Sequence, residues 1–240
     1  AGLGTTDPVS FRVNPDVDPK SPAYIATGLK ENKFGGAFEQ AAEFYERANA
    51  MSVIKVVGID CHIGSQLTQL DPFADALERL LILVDQLEAK GIHIEHIDIG
   101  GGLGICYRDE EVPEISALVK ILTDRLNNRN VTTIVEPGRS IVGNAVVMMT
   151  EVEYLKLTEV KNFAIVDAGM NDLVRPTLYD AWQKIVNVKQ ESTAQPHTYD
   201  VVGPICETGD FLARDRQLAI SQGDLLAVLS AGAYGFTMSS

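Results

Sequence analysis

Long apolar runs, an excess of basic residues and patterned cysteines are all missing from this chain. No run reaches the roughly 18 consecutive apolar residues of a membrane span, so the sequence predicts no membrane insertion. The net charge of -13 argues against a nucleic-acid partner, because phosphates would be repelled. The 3 cysteines are odd in number and unpatterned, which favours a reduced, cytoplasmic compartment. No spacing of His, Cys and Asp indicates a metal site.

Short apolar runs alternate with helical patterns over residues 1–145. Four predicted strands end at about residues 14, 61, 99 and 135, with helices expected over residues 37–50 and 71–91 and from Pro113 onwards. Strand–helix–strand units of this kind form parallel sheets. Polar residues follow directly after these strands, at the edge where (β/α)8 barrels and doubly wound sheets build their sites. Four units cannot close an eight-stranded barrel, so we expect the missing strands upstream of Ala1.

The pattern changes after about residue 145, where strand-like runs replace the helical periodicity. A short helix is expected only near residues 178–182. This indicates a second, mostly antiparallel β-domain over residues 146–240. Its predicted strands cover residues 146–149, 152–155, 163–166, 185–188, 199–202 and 225–229.

The most informative motif is Glu136-Pro137-Gly138-Arg139, which follows an apolar run. A carboxylate beside a pyridine nitrogen favours the protonated ring. Gly138 permits close approach of the backbone, and Arg139 can bind phosphate or carboxylate through two parallel hydrogen bonds. The motif therefore indicates a site for a phosphorylated cofactor with a ring nitrogen. A turn that carries a surface salt bridge is the alternative.

Two other strand ends carry residues that suit the same ligand. Gly100-Gly101-Gly102 presents backbone N–H groups that can hold an anion, and a flexible loop is the alternative. His62 can stack on an aromatic cofactor, and the hydroxyl of Ser65 can bind phosphate. An ordinary, partly buried side chain is the alternative for His62.

The second domain contributes three candidate segments. Arg175 and Tyr179 can clamp a substrate carboxylate, whereas an exposed loop arginine is the alternative. Cys206 lies beside Glu207, and a cysteine near a cationic cofactor can act as an acid, with an inert buried thiol as the alternative. Tyr234 follows a predicted strand and small residues, where a core tyrosine is the ordinary explanation.

Taken in chain order, these motifs resemble the fold-type III pyridoxal-phosphate (PLP) decarboxylases of basic amino acids. The resemblance extends to residues 12–16 and 28–35, and it covers nearly the whole chain. It implies a PLP-binding (β/α)8, or TIM, barrel of the alanine racemase type, with only its later βα units in residues 1–145. A β-domain over residues 146–240, cut at its C-terminus, would follow. The resemblance also implies a homodimer.

The same resemblance implies a role for each candidate. His62 would stack on the cofactor ring and Glu136 would pair with its nitrogen. Cys206 would return a proton after carbon dioxide leaves and, together with Glu207, would serve the partner subunit's site. Tyr234 would reach the cofactor from the β-domain. The implied phosphate ligands are Ser65, Gly100, Gly101, Gly102, Gly138 and Arg139. The implied substrate ligands are Arg139, Arg175, Tyr179, Glu207 and Tyr234.

Within this family, two details resemble the branch that acts on diaminopimelate. Arg175, Tyr179 and Glu207 suit a distal amino-acid head that carries both a carboxylate and an ammonium, whereas ornithine-type enzymes usually place an acidic residue there. The runs at residues 62–66 and 100–104 also resemble this branch. The implied reaction converts meso-2,6-diaminopimelate to L-lysine and carbon dioxide, the last step of lysine biosynthesis.

One feature of the family is missing from the sequence. The lysine that links the cofactor covalently lies on an early barrel strand, in a Tyr-Ala-x-Lys-Ala-like setting that does not occur here. Lys30 and Lys33 lie in a loop-like region and match a different family segment. We therefore expect the linking lysine upstream of Ala1, and we expect these residues alone to be inactive.

Three other functions fit parts of the pattern. The first is a related decarboxylase for ornithine, arginine or carboxynorspermidine, or a racemase of the same fold. The second is a phosphate-binding barrel enzyme without PLP, which needs neither the stacking of His62 nor an acid at Cys206. The third is a non-catalytic binding protein derived from the fold, which is favoured only by the missing lysine.

Overall fold

The computed structural model describes residues 5–18, 27, 33–189 and 191–240. The chain divides into two compact units. The first comprises Ala1–Gly104 and Glu111–Gly138, and the second comprises Ile105–Glu110 and Arg139–Ser240. The predicted domain boundary after residue 145 stays a prediction. Of the matched family segments, residues 28–32, including Lys30, lie outside the described residues.

The first unit contains a parallel sheet of five strands. The strands lie in the order β2-β1-β3-β4-β5, and every pair is parallel. The predicted parallel arrangement is therefore confirmed, with strand ends within about one residue of those expected. The short strand β2 was not predicted. The strands are β1 (Asp7–Asn14), β2 (Gly36–Ala37), β3 (Ile54–Asp60), β4 (His96–Asp98) and β5 (Thr132–Ile134).

Three helices follow strands of this sheet: α1 (Phe38–Asn49), α2 (Asp71–Ala89) and α3 (Ile115–Leu126). The apolar stripe of α2 is buried, and the chain leaves the helix through Gly91, whose φ of 78° suits glycine. The prediction that α3 begins at Pro113 was wrong, because Glu114 has an extended backbone and the helix starts at Ile115. None of the helices in the described ranges is long and apolar enough to cross a membrane.

The second unit contains a six-stranded sheet in the order β10-β9-β7-β6-β11-β8. All of its pairs are antiparallel except β7 with β9, so the predicted, mostly antiparallel character is confirmed. Buried apolar side chains from these strands form one core. The strands are β6 (Met148–Lys156), β7 (Asn162–Val166), β8 (Ile185–Asn187), β9 (His197–Val202), β10 (Phe211–Leu218) and β11 (Leu225–Val228).

Three local predictions for this unit were wrong. Residues 146–149 and 152–155 do not form two strands, because the single strand β6 begins at Met148 and continues through the second range. Strand β10 was missed, since the charged run 214–216 interrupts its apolar pattern. The short helix predicted near residues 178–182 lies earlier, at α5 (Arg175–Tyr179), because Pro176 suits the first turn of a helix. A further short helix, α4 (Arg139–Val142), begins the main segment of the unit.

Candidate active site

His62, in the first unit, lies two residues after the end of β3 and is half-buried. Its Nδ1 atom accepts a hydrogen bond from the backbone N–H of Gly101 at 3.2 Å. Burial lowers the pKa of His62, the charge of Arg12 lowers it further, and Asp98 acts in the opposite direction. The ring is therefore held as a neutral imidazole with its proton on Nε2, because an Nδ1 proton would oppose the N–H of Gly101.

The glycine turn after β4 is shaped by contacts with its neighbours. The Gly100 N–H donates to Oδ1 of Asp98 at 2.8 Å, and the Gly100 carbonyl accepts from the Glu136 N–H at 2.9 Å. A Cβ on Gly100, where φ is 72°, would lie 2.5 Å from the carbonyl oxygen of Cys61. A Cβ on Gly101 would lie 2.0 Å from the carbonyl oxygen of Glu136. The turn therefore requires glycine, and it connects His62 with the segment after β5.

The predicted phosphate contacts in this unit differ in how accessible they are. The N–H groups of Gly100 and Gly101 already donate within the protein, to Asp98 and His62. Ser65 is half-buried in the turn after β3. Gly138 is exposed, and a Cβ placed on it would meet no atom within 4 Å. The backbone at Gly138 is thus open to a ligand, and the role of the glycine turn in phosphate binding stays a prediction.

Three carboxylates, which we call the carboxylate row, lie at or just after the ends of the neighbouring strands β3, β4 and β5: Asp60, Asp98 and Glu136. Burial raises the pKa of Glu136, and the charges of Asp98 and Asp60 raise it further, against the opposing effect of Arg12. Burial likewise raises the pKa of Asp60. Glu136 therefore binds a proton more readily than an ordinary glutamate. Asp60 and Asp98 were not predicted as site residues, although each is the last residue of its strand.

These residues fit a planar, nitrogen-containing ring such as pyridoxal phosphate. The fit rests on a neutral imidazole, a carboxylate with raised proton affinity and an open glycine backbone, gathered at the carboxyl ends of parallel strands. Glu136 could share or receive the ring-nitrogen proton, and the face of His62 could contact the ring.

In the second unit, Arg139 and Arg175 meet at one tyrosine. Arg139 Nη1 donates a hydrogen bond to the Tyr107 hydroxyl, and Arg175 Nη1 donates to the same oxygen at 3.1 Å. Both arginines are buried, at 7% and 8% exposure. The alternative of an exposed loop arginine is therefore wrong for Arg175. We call Arg139 and Arg175 the arginine pair.

Tyr234 also lies against this pair. The Arg139 guanidinium is 5.2 Å from the centre of the Tyr234 ring, a cation–π distance. Tyr234 is 47% exposed, so it is not the core tyrosine that we considered as an alternative. Its backbone has a φ of 56°, which is uncommon for a bulky residue and is found mainly where surrounding structure imposes it. Tyr179, at the end of α5, is half-buried.

Cys206 and Glu207 lie exposed in the loop between β9 and β10. A buried thiol is therefore excluded for Cys206. The loop is anchored by the buried carboxylate of Asp210, which accepts from the N–H groups of Met170 at 2.6 Å and Ile205 at 2.7 Å. Asp210 was not predicted as a site residue, although it directly follows Gly209 in the candidate loop. The predicted service of Cys206 and Glu207 to a partner's site stays a prediction.

Within the described ranges, no group of three or more His, Cys, Asp or Glu side chains is arranged to hold a metal ion. The candidates thus gather in two places. The carboxylate row lies with His62 and the glycine turn in the first unit, and the arginine pair lies with Tyr107 and Tyr234 in the second.

Comparison with known proteins agrees with the resemblance seen in the motifs. The family model described as "Pyridoxal-dependent decarboxylase, pyridoxal binding domain" matches residues 3–143. Diaminopimelate decarboxylase from Pseudomonas aeruginosa is 61% identical over 240 residues, which are 100% of this chain and 58% of that protein. Diaminopimelate decarboxylase from Vibrio cholerae is 58% identical over 239 residues, which are 99% of this chain and 57% of that protein.

Among solved structures, diaminopimelate decarboxylase from Helicobacter pylori complexed with L-lysine has a TM-score of 0.94 and 39% identity. The match covers 99% of this chain and 59% of that one. The chain thus spans less than two thirds of the length of these relatives. The extent of the family match, together with the arrangement of His62, the glycine turn and Glu136, leads to one conclusion: this chain belongs to the pyridoxal-dependent decarboxylases.

Proposed function

We propose that the protein to which this chain belongs decarboxylates meso-2,6-diaminopimelate to L-lysine and carbon dioxide, with pyridoxal phosphate as its cofactor. The observation that carries the proposal is the buried arginine pair, because two guanidiniums that meet at one point suit a substrate with a second carboxylate. The names of the relatives support the same substrate. We further propose a cytoplasmic homodimer.

Each residue of the first unit would contribute binding or orientation. When bound, the cofactor supplies an electron sink for the carbon that loses its carboxylate. His62, held neutral by Gly101, would cover one face of the ring. Glu136 would hold a proton at the ring nitrogen, helped by its raised pKa. Ser65 and the backbone at Gly138 would bind the phosphate.

Residues of the second unit would select the substrate and finish the reaction. Arg139 and Arg175 would bind the distal carboxylate, and Tyr179 would help to bind the same carboxylate. Glu207 would pair with the distal ammonium, and Tyr234 would line the approach to the cofactor. The Cys206 thiol, exposed on its loop, would donate a proton to the carbon that has lost carbon dioxide.

The alternatives make different predictions about substrate choice. Ornithine, arginine and carboxynorspermidine carry no second, distal carboxylate. The arginine pair therefore favours diaminopimelate as the substrate. The match to a pyridoxal binding domain disfavours a phosphate-binding barrel without PLP. A non-catalytic protein would release no carbon dioxide from any of these substrates.

The test uses a complete enzyme in which this chain replaces the matching 58% of the Pseudomonas aeruginosa relative. We call this protein the chimera. Released carbon dioxide and lysine are measured with meso-diaminopimelate, ornithine, arginine and carboxynorspermidine. We expect release from meso-diaminopimelate far above the others. Preferential release from ornithine, or no release from any substrate by a folded, PLP-loaded chimera, would reject the proposal.

Replacing the proposed proton donor tests the role of the second unit separately. Cys206→Ala in the chimera should lower kcat by about 100-fold or more, the usual contribution of general acid catalysis. Cys106→Ala is the matched control, since Cys106 is also an exposed, free cysteine. Equal rates for the two variants would exclude Cys206 as the proton donor.

A further inference from the structure

Tyr107 lies where the two buried guanidiniums meet, and no sequence motif predicted a role for it. Its hydroxyl accepts hydrogen bonds from Nη1 of Arg139 and from Nη1 of Arg175. The guanidinium carbons lie 5.6 Å and 5.2 Å from the centre of its ring. One side chain therefore contacts both members of the pair, through its oxygen and through its aromatic face.

A carboxylate suits this pair, since planar guanidiniums bind carboxylate oxygens in parallel hydrogen bonds and burial strengthens that attraction. The phenol oxygen accepts from the arginines through its lone pairs, so its own O–H is left to donate to an incoming oxygen. Tyr107 would thus add a third donor group where the two guanidiniums meet an anion.

The segment that carries Tyr107 is held through its backbone and through the side chain of the next residue. The Glu110 carboxylate accepts from the N–H of Tyr107 at 2.9 Å and from that of Arg108 at 2.8 Å. Burial alone would raise the pKa of Glu110, but these and neighbouring amide hydrogen bonds outweigh it and lower the pKa. The Arg108 guanidinium lies 5.6 Å from the Trp182 ring. Tyr107 is therefore held by its backbone as well as by its hydroxyl.

We propose that Tyr107 is a specificity-determining residue, which aligns Arg139 and Arg175 around a single carboxylate and donates its own hydroxyl proton to that carboxylate. The inference rests on the proposed function for the identity of the ligand. The carboxylate belongs to the amino-acid head remote from the reacting carbon, and the product L-lysine retains it. Cadaverine has the same carbon chain and amino groups without this carboxylate.

The test compares the binding of L-lysine and cadaverine to the chimera by calorimetry. The unaltered protein should bind L-lysine more tightly than cadaverine. Tyr107→Phe should weaken L-lysine binding by about 10- to 100-fold, as expected for lost hydrogen bonds to charged groups, and leave cadaverine binding unchanged. With meso-diaminopimelate, KM should rise while kcat changes little.

Tyr154→Phe is the matched control, because Tyr154 in β6 is 63% exposed and belongs to the same unit. Glu110→Gln is a second variant, which keeps the Tyr107 hydroxyl but weakens the turn that holds it. Glu110→Gln should lower L-lysine affinity in the same direction as Tyr107→Phe, but by a smaller factor. It provides the test if Tyr107→Phe does not fold. A general loss of packing would weaken both ligands equally, and this result would overturn the inference.

Other outcomes separate the inference from the proposed function. Decarboxylation of meso-diaminopimelate with L-lysine affinity unaffected by Tyr107→Phe keeps the function and rejects the role of Tyr107. A selective loss of L-lysine affinity in a chimera that does not decarboxylate meso-diaminopimelate keeps the carboxylate site and rejects the function. Equal binding of L-lysine and cadaverine by the unaltered chimera rejects the carboxylate site itself.

Discussion

The carboxylate row and the arginine pair gather opposite charges by different structural means. Asp60, Asp98 and Glu136 come from the ends of adjacent parallel strands, so sheet topology brings them together. Arg139 and Arg175 come from the starts of two short helices, and a tyrosine from a separate segment joins them. The first cluster raises proton affinity, whereas the second presents permanent positive charge. Under the roles proposed above, cofactor chemistry and substrate selection rest on separate clusters, which mutations can alter independently.

The largest expected effect concerns the backbone around the first cluster. Gly101→Ala should lower the free energy of unfolding by about 3 kcal/mol, because its Cβ would collide with a main-chain oxygen rather than with a flexible side chain. Urea denaturation of the unaltered protein and of Gly101→Ala measures the change. Gly138→Ala is the matched control and should stay within about 0.5 kcal/mol, since its Cβ meets no atom. Similar losses in both variants would contradict the described packing of the turn.

A slightly smaller effect should distinguish the arginine pair from ordinary surface arginines. Arg175→Met in the chimera should raise KM for meso-diaminopimelate by about 10- to 100-fold through the loss of charged hydrogen bonds. Steady-state kinetics measures it, with Arg214→Met as control because Arg214 is exposed on β10. An unchanged KM for Arg175→Met would remove the pair from substrate binding.

Asp98→Asn should change proton affinity within the carboxylate row without destroying the turn, because the asparagine oxygen can still accept from Gly100. Loss of the negative charge should lower the pKa of Glu136, which burial and then Asp98 raise. Carboxyl NMR titration of the chain gives the direction, with Asp124→Asn on the exposed face of α3 as control. An unchanged Glu136 titration would show that the row is not electrostatically coupled.

The sign of the associated stability change follows from linkage. The folded-state pKa of Glu136 lies above its ordinary value. Its contribution to stability is therefore complete below the ordinary glutamate pKa and is lost as pH rises through the raised one. Asp98→Asn should make this loss smaller, which denaturation at acidic and neutral pH will detect. A larger loss in the variant would contradict the assignment.

The smallest effect should occur where charges are fully hydrated. Lys120 and Asp124 in α3 form an ion pair of 2.8 Å on the helix surface, with side-chain exposures of 74% and 59%. Lys120→Ala should lower the free energy of unfolding by no more than about 0.5 kcal/mol. Urea denaturation is the measurement. A loss comparable to that of Gly101→Ala would mean that burial does not separate important charges from unimportant ones in this protein.

The strand ends of the first unit could be predicted because two simple rules act there. Apolar runs mark buried strands, and parallel strands place their carboxyl ends at one edge, so His62, the glycine turn and Glu136 were expected together. Hydrogen bonds within the group were not predictable. The link from Gly101 to His62 depends on the exact backbone path of the turn, and no periodic pattern encodes that path.

The second unit was less predictable because its contacts join distant segments. Tyr107 and Arg175 are 68 residues apart in the sequence, and no periodic pattern connects them. Strand β10 was missed because its side chains are charged at its centre, where alternation of apolar residues would otherwise mark a strand. Arg175 and Tyr234 were chosen from the motifs around them, whereas the tyrosine that joins the two arginines required the fold.

The left-handed backbone at Tyr234 has a consequence for protein engineering. Such a conformation costs a residue with a side chain about 1–2 kcal/mol, a cost that glycine avoids. A screen that rewards heat resistance alone should therefore enrich glycine or asparagine at this position. The surviving variants would lose the aromatic face that lies over the guanidinium of Arg139. Selection for thermal tolerance and selection for turnover should consequently drive this position in opposite directions.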